Sequence, residues 1–140
     1  MSIYVDASVL VALFTNDALA GRADSYLRTH ETVLIVSDFT AAEFASALAR
    51  RVRMRDMKPQ EARLVFASFD EWIARTAERL FSSSDDVASA ATLLRRLDLP
   101  LRTPDAINLA IALRVGAQLL TFDKKMAASA RTLGIVVILG

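Results

Sequence analysis

Four acidic residues stand out in the sequence because the residues around them are apolar. Asp6 and Asp123 each follow a short apolar run, Asp105 stands at the start of an apolar helical stretch, and a fourth lies mid-helix. This fourth acid, Glu43, is on a largely apolar helix face. A buried unpaired carboxylate is costly, so such a group is paired, protonated or bound to a metal ion. Helix capping or pairing with an arginine could explain single acids, but one shared site explains all four together.

A shared site of four carboxylates would favour a divalent cation, because the charges repel one another at close range. The chain has no cysteine and one histidine, His30, so the available ligands are mainly oxygen atoms. Oxygen ligands suit the hard cations Mg²⁺ and Mn²⁺. Such a cation lowers the pKa of a bound water and stabilises a leaving oxygen, which suits phosphodiester hydrolysis.

Three polar residues near these acids are candidates for supporting roles. Ser8 and Thr121 lie two residues from the first and the last of the acids, and either hydroxyl could orient a carboxylate or a bound water. Each could equally be a local cap or a strand residue. Asn108 lies one helical turn after Asp105 and shares its helix face. Its alternative role is that of an amide at the surface or at the edge of the core.

A run of arginines follows on the predicted helix that carries Glu43. It comprises Arg50, Arg51, Arg53 and Arg55. The run is explained either by the favourable effect of positive charge at a helix C-terminus or by contact with RNA phosphates. The net charge is +1, from 17 basic and 16 acidic residues, and without the four acids it would be +5. A near-neutral total is therefore compatible with an acidic pocket in a mildly basic body.

The composition limits the class of protein. A length of 140 residues allows one domain, and 54% hydrophobic with 24% charged residues excludes a disordered chain. The lack of cysteine excludes disulfide scaffolds, thiolate zinc sites and cysteine nucleophiles. No stretch is long and apolar enough to span a membrane, and the N-terminus lacks the basic region of a signal peptide, so we expect a cytoplasmic protein. The mean hydropathy of +0.34 suggests that a partner covers some apolar surface.

Short apolar runs alternate with longer helical stretches along the chain. Buried strands are predicted at residues 3–5, 33–36, 117–122 and 135–139, with a short strand or edge at 80–81. Helices are predicted at residues 8–14, 17–29, 38–53, 59–77, 84–97, 103–116 and 124–133. This alternation predicts a three-layer α/β/α sandwich with a mainly parallel sheet of four or five strands. Ligands bind beyond the carboxyl ends of such strands, where Asp6 and Asp123 would lie.

Four segments in this order resemble the PIN-domain family, and within it the VapC-type toxins of bacterial toxin–antitoxin pairs. They read VDASVLV at 5–11, SDFTAAE at 37–43, LRTPDAINLA at 101–110 and LTFD at 120–123. Each segment alone is a weak signal, whereas the ordered set is specific. The resemblance covers essentially the whole chain and implies a single PIN-like domain over residues 1–140.

The resemblance also implies an activity, a cofactor and partners. It implies endonucleolytic cleavage of RNA at an acidic Mg²⁺ or Mn²⁺ site, for which Asp6, Glu43, Asp105 and Asp123 would supply the carboxylates. Ser8, Thr121 and Asn108 match polar positions near that site, and many relatives carry histidine where this chain has Asn108. Relatives of this type usually form homodimers and are inhibited by a small VapB-type antitoxin.

Other functions stay open on the residues alone. A phospho-acceptor receiver-like signalling domain also gathers acids at strand ends. Such a domain usually has adjacent acids after its first strand, whereas in this chain Asp6 is followed by Ala7 and Ser8. Receivers also carry a lysine late in the chain, whereas Lys124 directly follows Asp123 here. An aspartyl phosphatase would need a second aspartate in place of Ser8. A non-catalytic RNA- or protein-binding module would keep the fold without the reaction.

Overall fold

A five-stranded parallel sheet lies at the centre of the computed structural model, which describes residues 1–15, 18–29 and 32–138. Its strands are β1 (Ser2–Val5), β2 (Val33–Ser37), β3 (Ala77–Leu80), β4 (Gln118–Leu120) and β5 (Val137–Ile138). The order across the sheet is β3-β2-β1-β4-β5, and each neighbouring pair is parallel. Receiver domains have the order 2-1-3-4-5, so this topology argues against the receiver hypothesis.

Seven helices in the described part of the chain cover the two faces of the sheet. They are α1 (Ala7–Phe14), α2 (Ala20–Thr29), α3 (Asp38–Arg53), α4 (Pro59–Thr76), α5 (Ser84–Arg95), α6 (Thr103–Val115) and α7 (Lys124–Thr132). One apolar core contains residues of α1 to α4, and a second contains residues of α5 to α7. The layers are therefore helix, sheet and helix, as the alternation in the sequence predicts.

The alternation of side chains along β1 explains the two cores. Ile3 and Val5 pack into the core with α1 to α4, whereas Tyr4 packs into the core with α5 to α7. All three residues are fully buried, which is typical of a central parallel strand covered on both faces. Helix α6 is buried from Ala106 to Ala112 and ends at Gly116, whose positive φ of 64° suits a residue without a Cβ. The chain then enters β4 directly.

The structure corrects several predicted boundaries. The third strand occupies Ala77–Leu80 instead of residues 80–81; it follows α4 without a break and lies at the edge of the sheet, with Glu78 and Arg79 exposed. The helix predicted to reach residue 97 ends at Arg95. The predicted start of one helix, at Asp17, and the predicted end of the last strand, at Leu139, lie outside the described residues. No helix in the described ranges has the length and apolar character needed to cross a bilayer.

Candidate active site

The carboxyl ends of β1 and β4 lie side by side and carry the first and last of the predicted site acids. Val5 pairs with Leu120 in the sheet, and the backbone amide of Asp6 donates to the carbonyl oxygen of Leu120 at 2.9 Å. Asp6 caps α1 and is buried, whereas Asp123 caps α7 and is exposed. The parallel register therefore brings residues more than 110 positions apart to one edge of the sheet.

Two hydroxyl groups hold the carboxylate of Asp6. Ser8 Oγ donates to Asp6 Oδ2 at 2.6 Å, and Thr121 Oγ1 donates to the same oxygen at 2.9 Å. Ser8 Oγ also accepts the backbone amide of Phe122, and Thr121 Oγ1 accepts that of Asp123, each at 3.0 Å. The two predicted supporting hydroxyls thus tie the end of β1 to the end of β4 as well as orienting Asp6.

Glu43 reaches this region from α3 and is bound by an amide. Its Oε1 accepts a hydrogen bond from Asn108 Nδ2 at 2.6 Å, so its partner among the described residues is Asn108 and not an arginine. The pKa of Glu43 is raised to about 7, mainly by burial and also by the charges of Asp6 and Asp105, although the Asn108 hydrogen bond opposes the rise. Glu43 is therefore close to two of the other acids and carries a charge that its surroundings disfavour.

Asp105 lies in the first turn of α6 and completes the group. Its Oδ2 accepts the backbone amide of Arg102 at 3.4 Å, which is the helix-capping contact foreseen as an alternative. Burial raises the pKa of Asp105, and so do the charges of Asp123 and Asp6, while the Arg102 amide and guanidinium lower it. The capping contact and the proximity to other acids are thus both present.

All four carboxylates share one pattern of hydrogen bonding. Every hydrogen bond that the described residues give to Asp6 or to Asp105 falls on Oδ2, and those to Asp123 fall on Oδ1. Glu43 likewise accepts on Oε1 alone. Within the described residues, the second oxygen of each acid therefore has no donor. At the partly buried Glu43 and Asp105 such an acceptor is available to a ligand, whereas the second oxygen of the exposed Asp123 is open to solvent as well.

The donor chemistry fits a hydrated hard cation. The described residues contain no group of three or more acidic, histidine or cysteine side chains arranged closely enough to hold one ion between them. A dedicated cage of protein ligands is therefore absent from this part of the chain. Mg²⁺ commonly keeps several waters and binds through one or two carboxylates, so a looser group of acids suits it. The neighbouring negative charges, which add to burial in raising the pKa values of Glu43 and Asp105, would favour such an ion.

The hydrogen-bond network around Asn108 could not be predicted from the sequence. Asn108 is 1% exposed, so it is neither at the surface nor at the edge of the core, and its Oδ1 accepts from Tyr4 Oη at 2.6 Å. Ser37 and Thr40 surround the same hydroxyl. Nothing in the apolar run around Tyr4 indicates this contact, because its partners lie 33 to 104 positions away.

Two arginines outside the predicted run lie beside residues that adjoin the acids. The guanidinium of Arg22 lies 5.7 Å from the ring centroid of Phe122, next to Asp123, and Arg102 precedes α6. The predicted run begins at Arg50, seven residues after Glu43, which is about 10 Å along the helix axis at 1.5 Å per residue. His30 lies outside the described residues.

Comparisons with known proteins agree with this architecture. A model of the PIN domain matches residues 3–132. The chain is 33% identical to Ribonuclease VapC46 of Mycobacterium tuberculosis (strain ATCC 25618 / H37Rv), over 98% of this chain and 96% of that protein. The structure of VapC20 from Mycobacterium tuberculosis, a toxin that cleaves the sarcin-ricin loop, is similar with a TM-score of 0.74 and 24% identity, covering 91% of this chain and 94% of that one. VapBC2 from Rickettsia felis, bound to a fragment of its promoter DNA, is similar with a TM-score of 0.71 and 14% identity, covering 99% and 98%.

Proposed function

The chain belongs to the PIN-domain family, and we propose that it is a Mg²⁺- or Mn²⁺-dependent endoribonuclease, the toxin of a VapBC-type toxin–antitoxin pair. The proposed reaction is hydrolysis of RNA phosphodiesters at the four-carboxylate site, in the cytoplasm. Likeness to a named ribonuclease along nearly the whole chain supports the nuclease activity. The family model covers nearly the whole chain, and both cores pack on one sheet, which supports a single domain over residues 1–140.

The observation that carries the proposal is the unshared oxygen on each of the four acids. Asp6, Glu43, Asp105 and Asp123 each take their hydrogen bonds from the described residues on one carboxylate oxygen. The protein thus fixes the orientation of each group and leaves an acceptor for a cation. Burial is the main cause of the raised pKa values of Glu43 and Asp105, and the charges of neighbouring acids of the group add to both, which supports their proximity.

Each group around the site has a role in orientation or charge. A divalent ion held through one or two carboxylates of the group Asp6, Glu43, Asp105 and Asp123, and otherwise hydrated, would supply Lewis acidity to the scissile phosphate and to the attacking water. Ser8, Thr121 and Asn108 lock the carboxylates so that little reorganisation is needed when substrate arrives. The same locked carboxylates repel a bare phosphate, which makes binding of RNA dependent on the cation.

Arginines at the rim are suited to hold the RNA backbone on either side of the scissile phosphate. Arg22 and Arg102 lie close to residues of the site, and guanidinium groups bind phosphate oxygens in pairs. The run from Arg50 to Arg55 lies further along α3, where it would contact phosphates more distant from the cleaved bond. RNA binding would thus depend on local positive charge rather than on the total charge of +1.

Exposed apolar side chains support the proposed protein partners. Leu64, Phe81, Val87 and Leu113 are each between 43% and 71% exposed. A homodimer interface or a bound VapB-type antitoxin would cover side chains of this kind. Light scattering of the purified chain, alone and with the antitoxin, should report a dimer and a larger hetero-oligomer. A monomer at micromolar concentration would contradict the dimer.

The activity is tested by comparing the wild-type chain with Asp6→Asn and with Asp70→Asn. Asp70 is an exposed acid on α4 and serves as a matched control. With Mg²⁺ or Mn²⁺, mapping of new RNA 5′ ends should show defined cleavage by the wild type and by Asp70→Asn. Loss of a site carboxylate should reduce cleavage about a hundredfold or more, since the removed group holds the cation in the transition state.

The possible outcomes test the ribonuclease activity and the assignment of the site residues separately. Metal-dependent cleavage that persists in Asp6→Asn would refute the site, and circular dichroism would show whether this variant is folded. A wild-type chain that cleaves no RNA with either metal would favour the non-catalytic binding module. Induced expression should arrest growth only for chains that cleave, and co-expression of the antitoxin should restore growth.

A further inference from the structure

Three buried hydroxyl groups form a network next to Asn108, the residue that donates to Glu43. Two of them contact Asn108, and the third contacts these two. We name Tyr4 of β1, Ser37 at the end of β2 and Thr40 of α3 the hydroxyl cluster; each of them is 0% exposed. Tyr4 Oη lies 2.7 Å from Ser37 Oγ, and Thr40 Oγ1 donates to Tyr4 Oη at 3.1 Å. The cluster joins two strands and a helix at a point with no access to solvent.

The hydrogen-bond donors and acceptors around Asn108 determine the orientation of its side-chain amide. Asn108 Oδ1 accepts from Tyr4 at 2.6 Å and faces Thr40 Oγ1 at 3.3 Å. Asn108 Nδ2 donates to the carbonyl oxygen of Pro104 at 3.1 Å and to Glu43 Oε1 at 2.6 Å. A rotated amide would set its oxygen against two acceptors, so this orientation is the one in which each contact has a donor and an acceptor.

A phenylalanine at position 4 would serve the packing of the strand equally well. The ring of Tyr4 lies in the core with α5 to α7, where only apolar contact is needed. Burying a hydroxyl is costly unless it is hydrogen-bonded, and here all its partners belong to the cluster or to Asn108. Like any tyrosine hydroxyl it is protonated at neutral pH, and burial raises its pKa further, to about 12.

We propose that Tyr4 is a positioning residue for the active site, because its hydroxyl orients the Asn108 amide that fixes the carboxylate of Glu43. The inference rests on the proposed function, in which Glu43 is a site acid. Tyr4 acts through two short hydrogen bonds in series, each 2.6 Å long. In Tyr4→Phe, Asn108 Oδ1 keeps only the longer Thr40 contact, and the amide can move away from Glu43.

A double-mutant cycle of Tyr4→Phe with Glu43→Ala, which removes the acceptor of the Asn108 amide, tests the proposal. Three quantities are measured on the full chain: RNA cleavage with Mn²⁺, Mn²⁺ affinity without RNA, and the unfolding equilibrium in urea. Tyr4→Phe should lower cleavage and Mn²⁺ affinity about tenfold while Glu43 is present, as loss of a ligand-orienting partner does. In the Glu43→Ala background it should leave Mn²⁺ affinity within about twofold of that variant's own value. The two substitutions should be non-additive by about threefold or more in the unfolding constant.

Two further variants keep the test decisive. Tyr26→Phe removes the other tyrosine hydroxyl of the chain, from α2, and should change neither cleavage nor Mn²⁺ affinity. Thr40→Val removes the second hydroxyl that faces Asn108 Oδ1 and carries the same cycle if Tyr4→Phe does not fold.

The possible results distinguish this inference from the proposed function. Additive effects in all three measurements, with wild-type cleavage intact, would overturn the positioning role and leave the proposed function in place. Non-additive unfolding in a chain that neither cleaves RNA nor binds Mn²⁺ would support the link between Tyr4 and Glu43 and would overturn the proposed function. A Tyr4→Phe effect of equal size with and without Glu43 would show that Tyr4 only supports the fold.

Discussion

Replacing Glu43 with glutamine should stabilise the folded chain at pH 8 and leave its stability near pH 4 almost unchanged. The pKa of Glu43 is raised from 4.5 to about 7, first by burial. The unfolded chain therefore releases this proton between pH 4.5 and 7, while the folded chain still retains it. Because the folded state binds the proton more tightly, the wild type loses stability as the pH rises through this window. A glutamine side chain does not titrate and avoids the loss.

The magnitude follows from the size of the shift and the exposure of the side chain. One pKa unit corresponds to about 1.4 kcal/mol, so the full shift would be worth about 3 kcal/mol. Glu43 is only half-buried, and solvent screening reduces this figure to about 1–2 kcal/mol. The amide oxygen of a glutamine at this position can still accept the Asn108 hydrogen bond, so the substitution removes the charge while keeping the contact.

Urea unfolding without divalent ions, followed by the fluorescence of Trp72, measures this difference at pH 4, 6 and 8. With a slope of about 2 kcal/mol per molar urea, the midpoint of Glu43→Gln should rise by about 0.5–1 M at pH 8. Glu78→Gln, at an exposed position on β3, is the matched control and should show no such gain. Added Mg²⁺ should stabilise the wild type more than the variant and narrow the gap.

Two results would refute the reasoning. A variant that is less stable than the wild type at pH 8 would show that the charge of Glu43 is stabilised by its surroundings. A gain of equal size at pH 4 and pH 8 would show that packing, and not ionisation, separates the two side chains.

Three further expectations can be tested with the same protein. Arg22→Ala should weaken RNA binding in filter assays and reduce the slope of log affinity against log salt by about one; an unchanged slope would exclude a phosphate contact. Asp86→Ala breaks the 2.7 Å pair with Arg114 and should lower the free energy of unfolding by about 2 kcal/mol, less than for a fully buried pair because Arg114 is partly exposed. Its cleavage per folded molecule should be unchanged, and a loss there would link α5 to the site. Millimolar Mg²⁺ should raise the melting temperature of the wild type by a few degrees but not that of Asp6→Asn, and equal shifts would place the ion elsewhere.

The sequence predicted the parallel sheet and the positions of most elements because these depend on local patterns. Fully apolar runs, such as residues 3–5, are typical of strands covered on both faces, and the longer helical stretches between them favour parallel crossovers. The edge strand Ala77–Leu80 was harder to place, since it contains Glu78 and Arg79 and follows α4 without a glycine or proline. An exposed edge strand has no buried face to impose a pattern on its residues.

The residue types at the candidate site also follow from the sequence alone. Asp6 and Asp123 stand after apolar runs, and a parallel sheet sets the ends of its strands at one edge. The absence of cysteine and the single histidine limit the ligands mainly to oxygen. The order of the four segments identifies the family, which the match over residues 3–132 confirms.

Only the tertiary structure decided which groups touch. Tyr4 and Asn108 are 104 residues apart, and the position of Arg22 against Phe122 depends on how α2 packs beside the end of β4. Local sequence carries no record of such contacts, because a hydrogen bond depends on where two distant backbones bring their side chains, within a few tenths of an ångström. The sequence therefore determines which chemistry the chain can offer, whereas packing decides which oxygen of each carboxylate accepts hydrogen bonds from the protein.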